Sequence, residues 1–438
     1  MVSISVLMLL ITWASGLYIK PFETLSNTLF LIIMLSLAAI GAVIFVREEY
    51  ATKPEGIKNN GVWFKSLASR GIFGWMLGIL LTGFYVILYW YPQFMSGLVQ
   101  LFDPLSILVS GKPADQWFVY GSLYTFGVLV MGYKFALKYR HNRYQLLRTA
   151  SVCFFQLGFS FLIPSFLKMM NEPDYYFTYF WPLKETVLKP GGDHWGIQGI
   201  VQSSSHGWGW YFVGFSAIMT FIGTPILTYF FGKRWYCSWV CGCGGLAETV
   251  GDPFRQLSDK SVGAWKIERW LIHSVLIAVI LMTALLWINS YMKGGFLGNF
   301  SLGFSKWYGF LIGSMFSGVI GTGFYPILGN RSWCRFGCPQ AAILGIFQKK
   351  KSRFRITTNG GQCISCGNCS TYCEMGIDVR HYAQRGQDIV RASCVGCGIC
   401  SAVCPRGVLR LENGDFDIDE RADDLKAIHL KDGKFEVA

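Results

Sequence analysis

Long runs of apolar residues recur along most of the chain, and they constrain its fold more than any other feature. A helix that crosses the hydrocarbon core of a bilayer needs roughly 20 mostly apolar residues. Eight runs approach or meet that length, at about 4–19, 27–46, 72–92, 117–137, 147–168, 209–231, 270–290 and 307–328. The sequence therefore predicts an all-α polytopic membrane protein with about eight transmembrane helices within residues 1–328.

The low charge content agrees with this prediction. Charged residues make up 15% of the 438 residues, whereas about 25% is usual in a soluble protein. The first run is the shortest and could instead be an interfacial segment or a signal sequence. No basic residue precedes it and no clear cleavage pattern of small residues follows it, so we count it as a span.

The distribution of Lys and Arg predicts the orientation of the spans. The loops at 47–71, 134–148, 232–269 and 329–355 together contain 23 of these residues, and the alternate loops contain 7. Because short loops rich in Lys and Arg remain in the cytoplasm, we expect both termini to be cytoplasmic. The net charge of +13 largely reflects this asymmetry, and we do not interpret it as a sign of nucleic-acid binding.

Two cysteine-rich stretches follow the last apolar run and predict a cytoplasmic domain over 329–438. "CISCGNCSTYC" at 363–373 and "CVGCGICSAVCP" at 394–405 share the pattern C-x2-C-x2-C-x3-C. In two-cluster ferredoxins the first three cysteines of such a run bind one [4Fe–4S] cluster and the fourth binds the other. By this rule one cluster is bound by Cys363, Cys366, Cys369 and Cys404. The other is bound by Cys394, Cys397, Cys400 and Cys373.

Disulfides and zinc fit these two stretches less well than clusters do. Cytoplasmic thiols are kept reduced, and zinc sites favour separate C-x2-C pairs over runs of four cysteines. We therefore expect a bacterial-ferredoxin-like α+β domain with two [4Fe–4S] clusters. Glu374 stands after the first run where proline is usual, whereas Pro405 follows the second run.

Two further cysteine pairs lie at the ends of predicted spans, in "RWYCSWVCGC" at 234–243 and "RSWCRFGCP" at 331–339. Cysteines at i and i+4 lie on one face of a helical turn, so two such turns brought together present four thiolates. The predicted shared site consists of Cys237, Cys241, Cys334 and Cys338. It could bind a third [4Fe–4S] cluster or a soft metal such as Cu(I). A redox-active dithiol and inert buried thiols remain alternatives, and Cys243 could replace Cys241.

Membrane spans with two C-x3-C pairs at their ends, followed by a two-cluster domain, resemble the NapH, NosR and CcoG class of membrane iron–sulfur proteins. In that class the paired motif is usually C-x3-C-P. Cys334, Cys338 and Pro339 match it fully, whereas Gly242 replaces the proline after Cys241. The chain shows neither the flavin-binding domain of NosR-type proteins nor the extra carboxy-terminal domain of CcoG-type proteins, so the resemblance is nearest to NapH.

The resemblance implies a membrane protein that relays electrons between the quinone pool and a redox partner in a larger complex. As an enzyme it would be a quinol-dehydrogenase-type oxidoreductase subunit of the inner membrane. A factor that reduces a metal or a thiol during assembly of another membrane enzyme, as CcoG-type proteins are thought to do, is the alternative. We expect membrane lipid, quinone and other electron-transfer subunits as partners. No P-loop or dinucleotide fingerprint indicates a nucleotide site.

Other residues carry weaker signals. His273 lies about one turn into the seventh predicted span, where an ionisable residue is a candidate quinone or proton site, although a satisfied core histidine fits as well. His194 and His206 lie in a long predicted outer loop, where an interfacial aromatic belt is preferred over a quinone or partner-docking role. The stretch 171–186 is predicted to be an ordered outer loop, and Cys153 is predicted to be a packing residue. No catalytic residue is identified.

Overall fold

The computed structural model describes residues 3–4, 6–7, 24–51, 68–184, 187–190, 196–292, 298, 300–359, 362–413, 428–431 and 434–437. The predicted first span at 4–19 lies almost entirely outside the described residues, and so does His194. Most of the described chain is helical, and its longer strands lie after residue 353.

Five of the described helices are long and apolar enough to cross a membrane. They are Asn27–Ala51, Ile72–Trp90, Arg143–Met169, Gly209–Phe231 and Val262–Tyr291. Each coincides with a predicted span, which supports a membrane protein. The last of them starts earlier than predicted because the side chain of Ser261 accepts a hydrogen bond from the Ala264 N–H and so caps the helix at its amino terminus.

Two other predicted spans form helices that are not among these five candidates, so the count of eight spans remains a prediction. One is Gln116–Lys138. The other is Phe300–Tyr308, which continues as a π-helix over Gly309–Ile320. It ends before the predicted limit of 328 because the chain turns at Gly321, where a Cβ atom would lie 2.8 Å from the Cβ of Trp333.

Short helices connect the long ones. They are Pro92–Met95, Ser96–Leu101, Asp103–Ser110, Ile197–Ser203, Arg234–Cys237, Gly242–Thr249, Asp252–Leu257, Tyr325–Leu328, Ser332–Phe336 and Pro339–Lys351.

The carboxy-terminal domain is a small α+β unit. Its strands Phe354–Thr358 and Leu409–Asn413 pair antiparallel, with Thr358 opposite Leu409. Between them lie the short helices Asn368–Thr371, Val379–Gln384 and Ile399–Ala402, and a separate hairpin is formed by Ile428–Lys431 and Lys434–Val437. Gly367 and Gly398, with φ of 81° and 74°, precede equivalent helices, so the two cysteine runs form a structural repeat.

The described part of the segment predicted to be an outer loop, 171–184, packs against the long helices. Tyr175 stacks on Phe212 with ring centroids 4.6 Å apart. Further along, the carbonyl of Thr178 accepts a hydrogen bond from the Tyr236 hydroxyl at 2.5 Å. Irregular backbone is tolerated within a membrane protein where other protein surrounds it. Here the irregular segment contacts Tyr236, the residue before Cys237.

The helix ends nearest the carboxy-terminal domain are joined by buried ion pairs. Asp252, for example, binds Lys138 at 2.8 Å and Arg255 at 2.9 Å. We call the whole set the buried ion network. Its acidic members are Glu248, Asp252 and Glu374, and its cations are Lys134, Lys138, Arg148, Arg255 and Arg331. A buried ion is costly unless it is paired, so the network constrains how these elements assemble.

Glu374 connects the carboxy-terminal domain to this network. Its carboxylate binds Arg255 at 2.7 Å and Arg331 at 3.1 Å, and all three side chains are fully buried. Glu374, which stands where proline is usual, therefore joins the carboxy-terminal domain to the helices through ion pairs.

We predict that Asp252→Asn strongly destabilises the folded protein, because it leaves Lys138 and Arg255 buried without their carboxylate. Removal of one partner from a buried ion pair costs about 3–5 kcal/mol. The measurement is the thermal unfolding midpoint of the purified protein in detergent. Lys168→Gln is the control, since it removes a partly exposed pair with Asp115 at 3.4 Å and should cost no more than about 1 kcal/mol. Equal shifts for the two variants would contradict the prediction.

Candidate metal centres

The eight cysteines of the two runs line two separate cavities. We call one of them the distal cavity, because it lies at the surface of the domain, and the other the proximal cavity, because it lies against the helices. The distal cavity is lined by Cys363, Cys366, Cys369 and Cys404. The proximal cavity is lined by Cys373, Cys394, Cys397 and Cys400. The fold thus brings the cysteines together in the two groups of four that their spacing predicts.

Backbone N–H groups around both cavities are suited to thiolate ligands. The N–H of Ile377 donates to the Sγ of Cys373 at 3.4 Å. Burial raises the pKa of Cys369 and Cys394 to about 11, and backbone hydrogen bonds to the two thiols partly oppose this rise. Hydrogen bonds to sulfur are one of the means by which proteins set the reduction potential of iron–sulfur clusters. The residues present therefore fit [4Fe–4S] clusters.

The two cavities differ in their exposure to solvent. Cys366 in the distal cavity is exposed and so is the neighbouring Ile364, whereas Cys394 and Cys400 in the proximal cavity are buried. The distal cavity therefore lies at the surface of the domain, and the proximal cavity lies against the helices beneath it.

The two C-x3-C pairs have the same local structure, which differs from the continuous helical turn that the spacing predicts. A short helix ends near the first cysteine of each pair, and the second cysteine immediately precedes the next helix. The N–H of Cys241 donates to the Tyr236 carbonyl at 2.8 Å, and that of Cys338 donates to the Trp333 carbonyl at 3.0 Å. The prediction of one helical face was therefore wrong, because the helix ends between the cysteines.

The fold nevertheless brings both pairs together and adds a fifth cysteine. Cys237 and Cys338 are close enough to Cys241 and Cys334 for their thiols to interact electrostatically. Cys243 also interacts with Cys334 and Cys338. We call these five residues the thiol site. A third cysteine so close to the first pair is visible in the sequence, but its spacing matches no motif that assigns it a ligand role.

Cys241 and Cys243 form a hydrogen-bonded pair of thiols. The hydrogen bond from Cys243 lowers the pKa of Cys241 to about 7, although burial opposes this shift. The same hydrogen bond, together with burial, raises the pKa of Cys243 well above its usual range. Cys241 is therefore the thiol of this pair that ionises first, with Cys243 as its hydrogen-bond donor.

Buried cations lie directly beside the thiol site. Arg331 donates from Nη1 to the carbonyl of Cys237 at 3.1 Å and lies 3.6 Å from the Sγ of Cys334. The buried Lys233 ammonium lowers the pKa of Cys237, which burial raises to about 12. Four thiolates bring a large negative charge into a buried site, and these cations offset it, so the residues fit a thiolate-bound metal centre.

Residues next to the thiol site in the fold make hydrogen bonds to residues of the proximal cavity. The hydroxyl of Ser238, the residue after Cys237, donates to the carbonyl of Val395, the residue after Cys394, at 2.7 Å. Gln348 donates to the Cys394 carbonyl at 2.8 Å. These contacts join residues far apart in the chain, so no spacing in the sequence predicts them.

Glu248, Glu374 and Cys397 form a third group beside the proximal cavity. Their side-chain oxygen and sulfur atoms lie within 4.8 Å of one another. Burial raises the pKa of Glu248, but the guanidinium groups of Arg148 and Arg255 outweigh this effect and hold the pKa well below its usual range. Burial raises the pKa of Glu374. Because both carboxylates already bind Arg side chains, we assign this group to the buried ion network.

Several candidate residues lie away from these centres. His273 is exposed on the helix Val262–Tyr291 and does not line the described cavities or the thiol site. The Sγ of Cys153 lies 4.0 Å from the Val128 carbonyl, consistent with a packing role. His206 binds Glu172, with Nδ1 2.8 Å from a carboxylate oxygen.

Comparisons with known families agree with the placement of the cysteines. Residues 213–261 and 309–357 both match the family described as a 4Fe–4S binding domain. Residues 362–409 match a 4Fe–4S dicluster domain. The first two matches contain the cysteines of the thiol site, and the third contains all eight cysteines of the two cavities. The chain thus contains 4Fe–4S ferredoxin-type domains.

One similar curated protein is YccM of Escherichia coli (strain K12), whose name gives electron transport as an inferred role. It is 26% identical over 157 residues, which cover 34% of this chain and 43% of YccM. The chain thus spans less than half the length of this relative. No solved structure matches the chain. The comparisons support electron transport through [4Fe–4S] clusters, and the nearer resemblance to NapH remains a prediction.

We predict that Lys233→Met lowers the reduction potential of the centres nearest to it. Loss of a buried positive charge destabilises the reduced state, and at a separation of several ångströms the change should be on the order of tens of millivolts. The measurement is a redox titration monitored by electron paramagnetic resonance (EPR). Lys349→Met is the matched control, because that side chain is exposed. Unchanged potentials in Lys233→Met would rule out the electrostatic role.

Proposed function

We propose that this chain is a membrane electron-transfer protein that relays electrons between the quinone pool and a redox partner, as a subunit of a larger complex in the inner membrane. One observation carries the proposal. The thiol site, the proximal cavity and the distal cavity follow one another from the helices to the domain surface. Ser238 and Val395 link the first two, and Cys400 interacts electrostatically with Cys369 across the second and third.

Each of the three sites has a distinct set of residues to hold a [4Fe–4S] cluster, which supplies one-electron transfer when bound. Four cysteines of the thiol site are the proposed ligands closest to the long helices. The buried cations Lys233 and Arg331 offset negative charge there, and the hydrogen bonds described above position the cysteine loops. Oxidation of one quinol to quinone releases two electrons and two protons, so a one-electron relay must operate twice for each quinol.

The distal cavity is the proposed exit or entry point for the redox partner. Cys366 is exposed, and two exposed arginines, Arg380 and Arg406, line the same cavity. A basic rim around the cavity favours a partner with an acidic surface, because complementary charge accelerates encounter and orients docking. We place this face on the cytoplasmic side, following the distribution of Lys and Arg.

An assembly or metal-handling role is the second candidate, and the Cys241–Cys243 pair favours it. A [4Fe–4S] cluster needs four thiolates, whereas the thiol site contains five. The additional thiol is hydrogen-bonded to the one with the lowered pKa, an arrangement suited to thiol exchange or to a soft metal ion such as Cu(I).

The deciding experiment is to count metals in anaerobically purified protein. Three [4Fe–4S] clusters require about twelve irons and twelve acid-labile sulfides per chain. We expect the double variant Cys334→Ser/Cys338→Ser to lose about four of each, and a quinol analogue to change the EPR signals of the wild type. Cys153→Ser is the control and should retain all of them.

Two other results would contradict parts of this proposal. About eight irons in both the wild type and the double variant would exclude a third cluster. Loss of bound copper, rather than iron, from the double variant would instead favour the metal-handling role.

A further inference from the structure

A pocket with no assigned role lies between three elements beside the thiol site. Its walls are the segment at Trp181–Pro182, the helix Gly209–Phe231 and the helix Pro339–Lys351. The cavity measures about 360 Å³, which falls in the range of small-molecule sites. We call it the lateral pocket.

Two buried polar side chains in the lateral pocket have no partner among the described residues. Gln340 is 1% exposed, and neither its amide nitrogen nor its amide oxygen makes a hydrogen bond there. The hydroxyl of Thr220, which is 9% exposed, is also without a partner. Unsatisfied buried polar groups are costly, so both side chains indicate a ligand that binds between them.

The rest of the lining is apolar apart from Thr224, whose hydroxyl donates to the Met219 carbonyl at 2.8 Å. Phe221 is 64% exposed and Phe347 is 37% exposed, and both line the pocket. Phe221 lies on the helix Gly209–Phe231, which is long and apolar enough to cross a membrane, so its exposed ring is accessible to lipid. A ligand can therefore enter the lateral pocket from the membrane.

The position of Gln340 places the lateral pocket next to a candidate metal ligand. Gln340 follows Cys338 by two residues, so their Cα atoms are at most about 7.6 Å apart. Cys338 stands at the amino-terminal cap of the helix that carries Gln340. Thr220 lies in the π-helical turn Met219–Gly223, a type of irregularity that is frequent at functional sites.

We propose that the lateral pocket binds the ring of a quinone, with the amide of Gln340 and the hydroxyl of Thr220 as donors to its carbonyl oxygens. The proposal rests on the function proposed above and identifies the site at which the quinone pool would meet the relay. Trp181, Phe221 and Phe347 supply the aromatic walls, and Gln340 sets the ring beside Cys338.

The chemistry of the lining favours a quinone over a membrane lipid. No charged side chain is among the residues that line the lateral pocket, whereas a phospholipid head group calls for a cation. An acyl chain would fill the apolar space but would leave the Gln340 amide and the Thr220 hydroxyl unpaired. A neutral ring with carbonyl oxygens satisfies both the apolar walls and the polar groups.

The test is quinone binding by the full-length protein in lipid nanodiscs. Ubiquinone-1 serves as the affinity probe, and an azido-quinone labels the site for mass spectrometry. We expect Gln340→Leu to raise the Kd at least tenfold and Thr220→Val to raise it several-fold, with the label on the walls of the lateral pocket. Ser160→Ala should bind normally, since the unpaired hydroxyl of Ser160 lies in a different cavity. Iron content and EPR spectra must match the wild type in every variant, which separates binding from misfolding.

The outcomes distinguish the pocket from the function. Wild-type affinity in both pocket variants, or a label elsewhere, overturns the lateral pocket but leaves the quinone relay intact. The pocket proposal alone also fails if a phospholipid copurifies at the pocket and ubiquinone-1 does not displace it. If the wild type neither binds ubiquinone-1 nor changes its EPR spectrum with quinol, the proposed function fails, and the pocket proposal fails with it.

Discussion

The ion pairs of Glu374 with Arg255 and Arg331 are the contact on which the arrangement of the candidate centres depends. Glu374 follows directly after Cys373 in the proximal cavity, and Arg331 contacts both the carbonyl of Cys237 and the Sγ of Cys334. One guanidinium therefore touches residues from two centres. Because a buried pair tolerates little change in geometry, these contacts hold the distance and orientation between the centres, on which electron transfer depends.

The sequence predicted the local features well because they depend on spacing. The grouping of eight cysteines into two cavities follows from the repeated spacing within the two runs. Five of the long helices follow from the length of their apolar runs. The features that it missed combine residues distant in the chain. The contact of Thr178 with Tyr236 and the lateral pocket around Gln340 arise only when separate helices assemble. The continuous helical turn between Cys237 and Cys241 was wrong because local spacing does not reveal that the helix ends there.

The basic residues show how one sequence signal can have two physical meanings. Lys134, Lys138 and Arg331 count toward the cytoplasmic loops when the orientation of the spans is predicted. In the structure all three are buried and bind carboxylates, so they stabilise the junction between the helices and the carboxy-terminal domain. Charge counting assigns such residues to one side of the membrane, but it cannot separate exposed cations from those held in an ion network.

The thiol site is assembled from two equivalent half-sites, each closed by the same backbone hydrogen bond, at Cys241 and at Cys338. Segments of equal length around them, 213–261 and 309–357, match one family. A chain with a single copy of this unit could build the same centre only by pairing with a second chain. Gene duplication and fusion would turn that dimer interface into an internal one and free each half to diverge, as Gly242 and Cys243 on one side and Pro339 on the other illustrate.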